Sequence, residues 1–252
     1  MTHLSVNLNK IALLRNSRTL GIPSVTRAAS IALEAGARGI TVHPRPDGRH
    51  IRTHDVHDLI EVLKRYPDAE FNIEGNPYHS VLDLVMSVRP HQFTLVPDDP
   101  SAFTSDHGWD LERDGARLAP IIAQLKHIGV RVSLFMDPEP AAMGRAAALG
   151  ADRVELYTEP YAASYGGDNE AATLERYTAA ADAARRAGLA INAGHDLNQQ
   201  NLGKLVAAIP DIAEVSIGHA LTAEALEDGL AITVKNYVRI LEEASRSGKR
   251  TT

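Results

Sequence analysis

The chain contains no cysteine, and this absence excludes several kinds of bond and site. Disulfide bonds, thiolate metal sites and a cysteine nucleophile are excluded. No apolar run reaches the ~18 residues of a membrane-spanning helix, and the first residues lack the basic-then-apolar pattern of a signal peptide. A net charge of −6 argues against general binding to nucleic acid or to anionic membranes. We therefore expect a cytoplasmic protein that holds any anionic ligand with local basic groups.

What the chain has instead is a repeated alternation of short apolar runs with Ala-, Leu-, Arg- and Glu-rich stretches. This alternation is typical of βαβ units around a parallel sheet. Eight such units in 252 residues predict one (β/α)8 (TIM) barrel domain spanning residues 1–252. The eight candidate strands begin at Leu4, Gly39, Glu70, Gln92, Val130, Arg153, Ala190 and Glu214.

Helix signals separate the strands. Ser24 is placed to cap a helix that ends near Gly36. Gly36 and three further glycines at positions 129, 150 and 188 each sit between a helical stretch and a strand, a place that favours a glycine turn. Two segments, 97–108 and 157–169, have the composition of long loops after strands four and six. We expect 97–108 to be a lid over the active site.

Acid–base side chains occupy the predicted carboxyl ends of the strands, where barrel enzymes build their active sites. Glutamate and histidine are costly to bury without a partner, so a purely structural explanation is needed separately for each one. The set is Lys10, His43, Glu74, Glu155, His195 and His219, with the polar Asn7 and Asn9 beside Lys10 at the end of strand one.

The same strand ends also carry residues that are suited to phosphate binding. Strands seven and eight both end in Gly-His, and glycine lets backbone N–H groups approach an anion closely. Arg15, Arg18 and Arg45 supply forked donors that suit phosphate, although a surface ion pair is the simpler role for Arg15. The residues thus favour an enzyme of small phosphorylated substrates.

Alternatives remain open from the residues alone. Glu74, Glu155, His195 and His219 could ligate a divalent cation in a metal-dependent lyase or isomerase of sugar phosphates. Lys10 could form a Schiff base in an aldolase. A barrel kept as a binding module would be expected to have lost these acid–base groups, and here they are present.

Seven segments together resemble the pyridoxine 5'-phosphate synthase family, in matching order and spacing over residues 4–241. No single segment is specific, but the combination is. The segments are VNLNKIALLRNSR, GITVHPRPDGRHI, FNIEGNP, LVPDDPSAFTSDHGWD, VELYTEPYA, INAGHDL and SIGHA.

The resemblance implies a TIM barrel with additional helices that assembles as a homo-octamer built from dimers. It also implies a transferase of vitamin B6 (pyridoxine) biosynthesis that needs no metal or organic cofactor. The implied reaction condenses 3-amino-2-oxopropyl phosphate with 1-deoxy-D-xylulose 5-phosphate, giving pyridoxine 5'-phosphate, phosphate and water.

Roles carry over by position. His43 and Glu74 match proton acceptors, His195 a proton donor, and Glu155 a residue that stabilises the transition state. The remaining matches are substrate contacts: Asn7, Arg18, Gly218 and His219 to the amino-ketone phosphate, and Asn9, Lys10, Arg45, His50 and Thr104 to the deoxyxylulose phosphate.

Three positions, in two places, depart from the commoner family form. This chain has Asn9-Lys10 where Asp-His is commoner, so the local charge becomes positive, and we expect altered contacts rather than lost activity. It has Asp196 where glycine is commoner, and a substrate contact made by the backbone N–H would survive that change.

Overall fold

The computed structural model describes residues 1–99, 102 and 104–248, and its centre is a closed barrel of eight parallel strands in chain order. Each predicted strand is found and begins within two residues of its predicted start. The predicted barrel is therefore confirmed. The strands are β1 (His3–Asn7), β2 (Gly39–Val42), β3 (Glu70–Gly75), β4 (Gln92–Leu95), β5 (Arg131–Met136), β6 (Arg153–Tyr157), β7 (Ala190–Gly194) and β8 (Ile212–Ile217).

Eleven helices lie among the described residues, more than the one per strand that a minimal barrel needs. None of them combines the length and apolar character required to cross a bilayer. The predicted loop over residues 157–169 is partly wrong, because α7 lies inside it. The helices are α1 (Asn9–Asn16), α2 (Val25–Glu34), α3 (Thr53–Leu63), α4 (Val81–Val88), α5 (Leu111–His127), α6 (Pro140–Ala148), α7 (Glu159–Ser164), α8 (Glu170–Arg186), α9 (Leu202–Ala208), α10 (His219–Asp228) and α11 (Leu230–Gly248).

The predicted turn chemistry is also confirmed. The Ser24 hydroxyl accepts a hydrogen bond from the backbone N–H of Arg27 and so caps α2. Gly129, Gly150 and Gly188 each follow a helix at φ between 82° and 91°, which is left-handed backbone that glycine adopts without strain. These turns deliver the chain to the amino ends of β5, β6 and β7.

The apolar core lies between the barrel and its helices rather than inside the barrel. Outward-facing strand residues such as Ile40, Phe93 and Val215 are fully buried under the helix layer. Most inward-facing positions are instead polar, and several bond to one another: Ser5 bonds Thr41, Thr41 accepts from Asn72, and Asn72 accepts from Thr94. Ser133, whose hydroxyl has no partner among the described residues, and the apolar Phe135 are exceptions. The alternation follows from the two-residue period of a strand.

A charged network closes the amino end of the barrel. Gln92 reaches across the interior to the Glu214 carboxylate at 3.4 Å and accepts from Arg131 at 3.0 Å. Arg153 donates to Asn192 at 3.1 Å. With this end filled, the polar interior opens only toward the carboxyl ends of the strands.

We expect Ser24→Ala to lower the free energy of unfolding by about 1 kcal/mol, since it removes the N-cap of α2. Ser24→Asp restores an acceptor at the same place and should recover most of the loss. Urea unfolding followed by circular dichroism measures both changes. Equal stability of Ser24→Ala and the unaltered chain would show that the cap contributes nothing.

Candidate active site

A cavity of about 410 Å³ opens at the carboxyl end of the barrel, and it gathers residues from β1 to β8 that are distant in sequence. Every predicted site residue except Arg15, Arg18 and Gly194 lines it. The lining consists of Asn7, Asn9, Lys10, Leu13, His43, Arg45, Arg49, His50, Glu74, Val96, Thr104, Ser105, Phe135, Glu155, His195, Asp196, Ser216, Gly218 and His219.

Glu74, next to last in β3, lies at the floor of this cavity. Asn7 donates to its Oε2 at 3.3 Å, and Ser216 donates to its Oε1 at 3.4 Å. Burial, followed by the nearby charges of Asp98 and Glu214, raises the pKa of Glu74 to about 8, and the two hydrogen bonds only partly oppose this. The carboxyl group therefore exchanges its proton near neutral pH.

Glu155, in the middle of β6, is buried beside Glu74 in the polar interior. Its Oε2 accepts from Thr94 at 3.4 Å. Burial and then the charge of Glu74 raise the pKa of Glu155 well above its ordinary value. Burial therefore favours the protonated form of the Glu155 carboxyl, which can donate a hydrogen bond.

Gly194, the last residue of β7, makes room for Glu155. A Cβ atom at this glycine would lie 2.8 Å from Glu155 Oε1 and 2.8 Å from the carbonyl oxygen of Ser216. The glycine of the first Gly-His pair therefore accommodates a carboxyl group. Our expectation that it admits an anion to the backbone is wrong, since Gly194 is not part of the cavity lining.

His43, directly after β2, lies between two carboxylates. Its Nδ1 is 3.9 Å from Glu74 Oε2, and its Nε2 is 3.5 Å from Asp98 Oδ2. Burial lowers the pKa of His43 to about 4, in spite of the opposing charge of Asp98. The imidazole is neutral at pH 7 and is free to accept a proton.

His195 follows β7 and is held at both ring nitrogens. Its Nε2 shares a hydrogen bond of 2.9 Å with the Thr104 hydroxyl, and its Nδ1 one of 2.9 Å with Asp196 Oδ2. The backbone at His195 and Asp196 is left-handed, with φ of 82° and 57°, which is uncommon for residues with a side chain. The bond from His195 holds the pKa of Asp196 below its ordinary value.

The Arg45 guanidinium is already engaged with the loop after β4. Its Nη1 donates to Asp98 Oδ2 at 2.8 Å, and its Nη2 donates to the carbonyls of Asp99 and Ala102 at 3.0 and 2.9 Å. Of the three guanidinium nitrogens of Arg45, only the buried Nε has no acceptor among the described residues. Arg45 therefore does not present the free fork that its sequence position suggested.

His50 contributes a hydrogen-bond donor to the cavity wall. The backbone N–H of Ile51 donates to its Nδ1 at 2.9 Å. Burial, followed by the charge of His43, lowers the pKa of His50 to about 3, so the ring is neutral. A neutral ring that accepts at Nδ1 carries its proton on Nε2.

Gly218 and His219 form the start of α10 at the cavity edge, with Gly218 as the N-cap residue. A Cβ atom at Gly218 would lie 3.1 Å from the Asn7 side chain. The Asn7 carboxamide in turn accepts from the N–H of Asn9, whose own Oδ1 accepts from the N–H of His43. These bonds fix the mouth of the cavity between β8, β1 and β2.

Two predicted phosphate-binding arginines lie outside the cavity lining. Arg15 forms an ion pair with Asp55 and donates to the carbonyl of His50 at 3.3 Å, so it supports the loop that carries His50. Arg18, just after α1, is exposed. For Arg15 the simpler structural role is the one found.

Asp98 is the main site residue that the sequence analysis missed. It follows β4, and the Asp-Asp pair after this strand is the signal in the sequence that could have indicated it. Ser216 and Phe135 line the cavity and face inward by strand alternation, but they carry no chemical signal of their own. The predicted lid, 97–108, falls partly outside the described residues, at positions 100, 101 and 103.

In the described part of the chain, no three or more His, Cys, Asp or Glu side chains are grouped as metal ligands. The four candidate ligands of the metal alternative are thus not gathered into one such group.

Comparison with known proteins gives the family. The model for "Pyridoxal phosphate biosynthesis protein PdxJ" matches residues 4–243. The chain belongs to this family. It is 58% identical to pyridoxine 5'-phosphate synthase of Albidiferax ferrireducens over 96% of this chain and 98% of the relative, and 57% identical to that of Brucella anthropi over 94% and 98%. Family membership makes the chain an enzyme of pyridoxine 5'-phosphate formation.

Solved structures of low sequence identity share the fold alone. Phosphoribosyl anthranilate isomerase from Thermotoga maritima superimposes with a TM-score of 0.63 at 14% identity, covering 96% of this chain and all of that one. A structure of the Amycolatopsis orientalis BexX/CysO complex gives a TM-score of 0.64 at 15% identity, covering 100% of this chain and 93% of that one.

The raised pKa of Glu74 has a consequence for stability. In the unfolded chain the pKa of Glu74 is 4.5. Below that pH the contribution of Glu74 to the free energy of unfolding is fully present. It is lost as the pH rises through the folded pKa of about 8, because the folded chain must then hold a buried charge. Glu74→Gln is neutral at every pH. Its stability relative to the unaltered chain should therefore rise by about 3 kcal/mol between pH 5.5 and 8.5.

Urea unfolding at a series of pH values measures this difference. The exposed Glu61 provides the matched control, since Glu61→Gln removes a carboxylate that is in water in both states. If the effect of Glu74→Gln on the free energy of unfolding varies with pH as little as that of Glu61→Gln, Glu74 does not keep its proton to a higher pH in the folded chain.

Proposed function

We propose that the chain condenses 3-amino-2-oxopropyl phosphate with 1-deoxy-D-xylulose 5-phosphate to pyridoxine 5'-phosphate, phosphate and water, by acid–base catalysis without a metal or organic cofactor. One observation carries the proposal. A neutral imidazole and a carboxyl group that titrates near neutrality lie 3.9 Å apart in a cavity whose walls carry groups suited to phosphate.

The reaction consists largely of proton transfers, which accompany imine formation, loss of phosphate and water, and closure of the ring. Each transfer requires a group that both binds and releases a proton near the working pH. In the proposal, His43 and Glu74 accept protons from the substrates at one wall of the cavity. Glu155, whose protonated form is favoured by burial in the barrel interior, stabilises negative charge that develops on substrate oxygen.

His195 is the proposed proton donor. Asp196 accepts at Nδ1, which leaves Nε2 as the nitrogen that exchanges a proton with the substrate, in the manner of a carboxylate–histidine pair. Thr104 holds that nitrogen in the cavity when no substrate is present. A substrate oxygen at the place of the Thr104 hydroxyl would receive the proton.

Two groups of residues are proposed to hold the two phosphates. The start of α10 at Gly218 and His219 offers backbone N–H groups and the positive end of the helix dipole to the amino-ketone phosphate, with Asn7 beside it. The deoxyxylulose phosphate is assigned to His50, Arg45, Thr104, Lys10 and Asn9. Fixing both phosphates removes much of the entropic cost of joining two molecules.

A homo-oligomer, an octamer built from dimers, is part of the proposal, as are a cytoplasmic location and one catalytic domain over residues 1–252. Arg18 supports it. This residue is exposed on the segment after α1, near Leu14 in the last turn of α1 and Leu20 and Ile22 beyond it, which are also exposed, at 49%, 65% and 65%. An apolar surface of this kind marks a contact between proteins. We propose that a second copy covers it and that Arg18 completes the cavity of that copy.

The activity is tested by incubating the chain with the two phosphates and detecting pyridoxine 5'-phosphate by chromatography. Glu74→Gln and His195→Asn should each lower kcat by about 10² to 10⁴, since each removes a proton-transfer group. Glu61→Gln and His127→Asn, made at exposed positions, are the matched controls and should retain full activity. Near-normal turnover in either site variant would overturn its role.

A chelator distinguishes the metal-dependent alternative in the same assay. Excess EDTA should leave the rate unchanged if catalysis is by protons alone. Loss of activity that returns with added Mg²⁺, Mn²⁺ or Zn²⁺ would favour the metal-dependent enzyme of sugar phosphates instead.

The role of Arg18 across subunits is tested by complementation. Arg18→Ala and Glu74→Gln should each be nearly inactive alone. Coexpressed in equal amounts in a symmetric dimer, they should regain about a quarter of the normal activity per subunit, because some cavities then have Glu74 intact and receive Arg18 from the partner. Absence of any recovery, with both chains present in one oligomer, would place Arg18 outside the partner's site.

A further inference from the structure

Asp98 is a buried carboxylate to which no role is yet attached. It lies three residues beyond the end of β4, and only 5% of its surface is exposed. A buried carboxylate is costly unless charged or hydrogen-bonding partners compensate it. The contacts that compensate Asp98 show what it holds.

Four contacts join Asp98 to the segments that follow β2, β3 and β4. Its Oδ2 accepts from Arg45 Nη1 at 2.8 Å and faces His43 Nε2 at 3.5 Å. Its Oδ1 accepts from the Ser105 hydroxyl at 2.9 Å. Its backbone carbonyl accepts from Asn76, just after β3, at 3.0 Å. One carboxylate oxygen thus serves both a proposed proton acceptor and a proposed phosphate contact.

The charge of Asp98 acts on both proton acceptors of the site. It opposes the effect of burial on the pKa of His43, where the other charges are those of Arg45, Arg49 and Asp47. It also raises the pKa of Glu74, on which the other nearby charge is that of Glu214. Asp98 therefore affects groups on β2 and on β3 from a third strand.

The geometry also assigns a proton to His43. A carboxylate that faces Nε2 favours the ring form with hydrogen on that nitrogen. The lone pair is then on Nδ1, the nitrogen that faces Glu74. The distance of 3.5 Å is long for a hydrogen bond, and contacts of this kind often shorten when substrate is bound.

We propose that Asp98 is a positioning residue that holds His43 with its Nδ1 toward Glu74 and, through the same carboxylate oxygen, holds Arg45 at the cavity wall. This inference rests on the proposed function for the roles of His43 and Arg45. A phosphate held at the Arg45 side chain would act on a guanidinium already fixed to Asp98, so that occupation of the phosphate site and alignment of the proton acceptor depend on one group.

Two variants separate the charge of Asp98 from its contact with the loop. Asp98→Asn keeps the shape and removes the charge. Ser105→Ala keeps the charge and removes the partner of Oδ1. Asp114→Asn is the matched control, a buried aspartate on α5 that pairs with Arg113 away from the cavity. Thermal unfolding establishes that each variant is folded.

We expect Asp98→Asn to lower kcat by about 10- to 100-fold and to move the acid limb of the kcat/KM profile to lower pH by about 0.5 to 1 unit. Ser105→Ala should raise KM for the deoxyxylulose phosphate a few-fold without moving the profile. Asp114→Asn should change neither. An Asp98→Asn enzyme with normal kcat and an unmoved profile overturns the proposal, as does a loss of activity that merely follows loss of folded protein.

A measurement without substrates separates this inference from the proposed reaction. The ¹³C signal of the Glu74 carboxyl, assigned with Glu74→Gln, should titrate at lower pH in Asp98→Asn than in the unaltered chain. If the unaltered chain makes no pyridoxine 5'-phosphate but this shift is seen, the proposed reaction fails while the link from Asp98 to Glu74 stands. An unmoved titration removes that link.

Should Asp98→Asn fail to fold, Asp98→Glu takes its place, because it keeps the charge and displaces the carboxylate. The proposal then requires a lower kcat with the acid limb unmoved. A normal kcat in a folded Asp98→Glu enzyme overturns it.

Discussion

The rest of this structure depends on the burial of carboxyl groups inside a barrel that provides little opposing charge near its carboxyl end. Glu74 and Glu155 lie side by side there, held by neutral donors from Asn7, Ser216 and Thr94. Neutral donors satisfy the oxygen atoms but do not neutralise an ionised group, so both carboxyl groups retain protons at pH values where glutamate in water is ionised. The fold thereby supplies an acid that works near neutral pH.

Much of this site could be predicted from the order of residues, because strand alternation is a local rule. A residue at the carboxyl end of a barrel strand faces the active-site end whatever surrounds it, and this was enough for His43, Glu74 and His195. The strands and the cap at Ser24 were predictable for the same reason, since each depends on only a few neighbouring positions.

What the sequence did not reveal depends on contacts across the barrel. Arg45 and Asp98 are 53 positions apart, and only the closed sheet brings them to 2.8 Å. Gly194 looked like an anion-binding glycine because its neighbour in sequence is a histidine. Its actual neighbour in space is Glu155, which strand pairing from β6 to β7 supplies. Arg18 is exposed and lies outside the cavity lining, and its proposed role depends on a second copy, which the sequence of one chain does not place.

In this barrel the side chains that stabilise the fold and those proposed to carry out the reaction lie on opposite faces of the strands. The apolar contacts that hold the fold lie outside the strands, under the helices, where Ile40 and Val215 are fully buried. Side chains that point inward contribute little of that packing, so many exchanges among them should alter reactivity while the scaffold persists. A protein arranged in this way is a favourable starting point for laboratory evolution, because new acids, bases and binding groups can be introduced inside without rebuilding the shell that supports them.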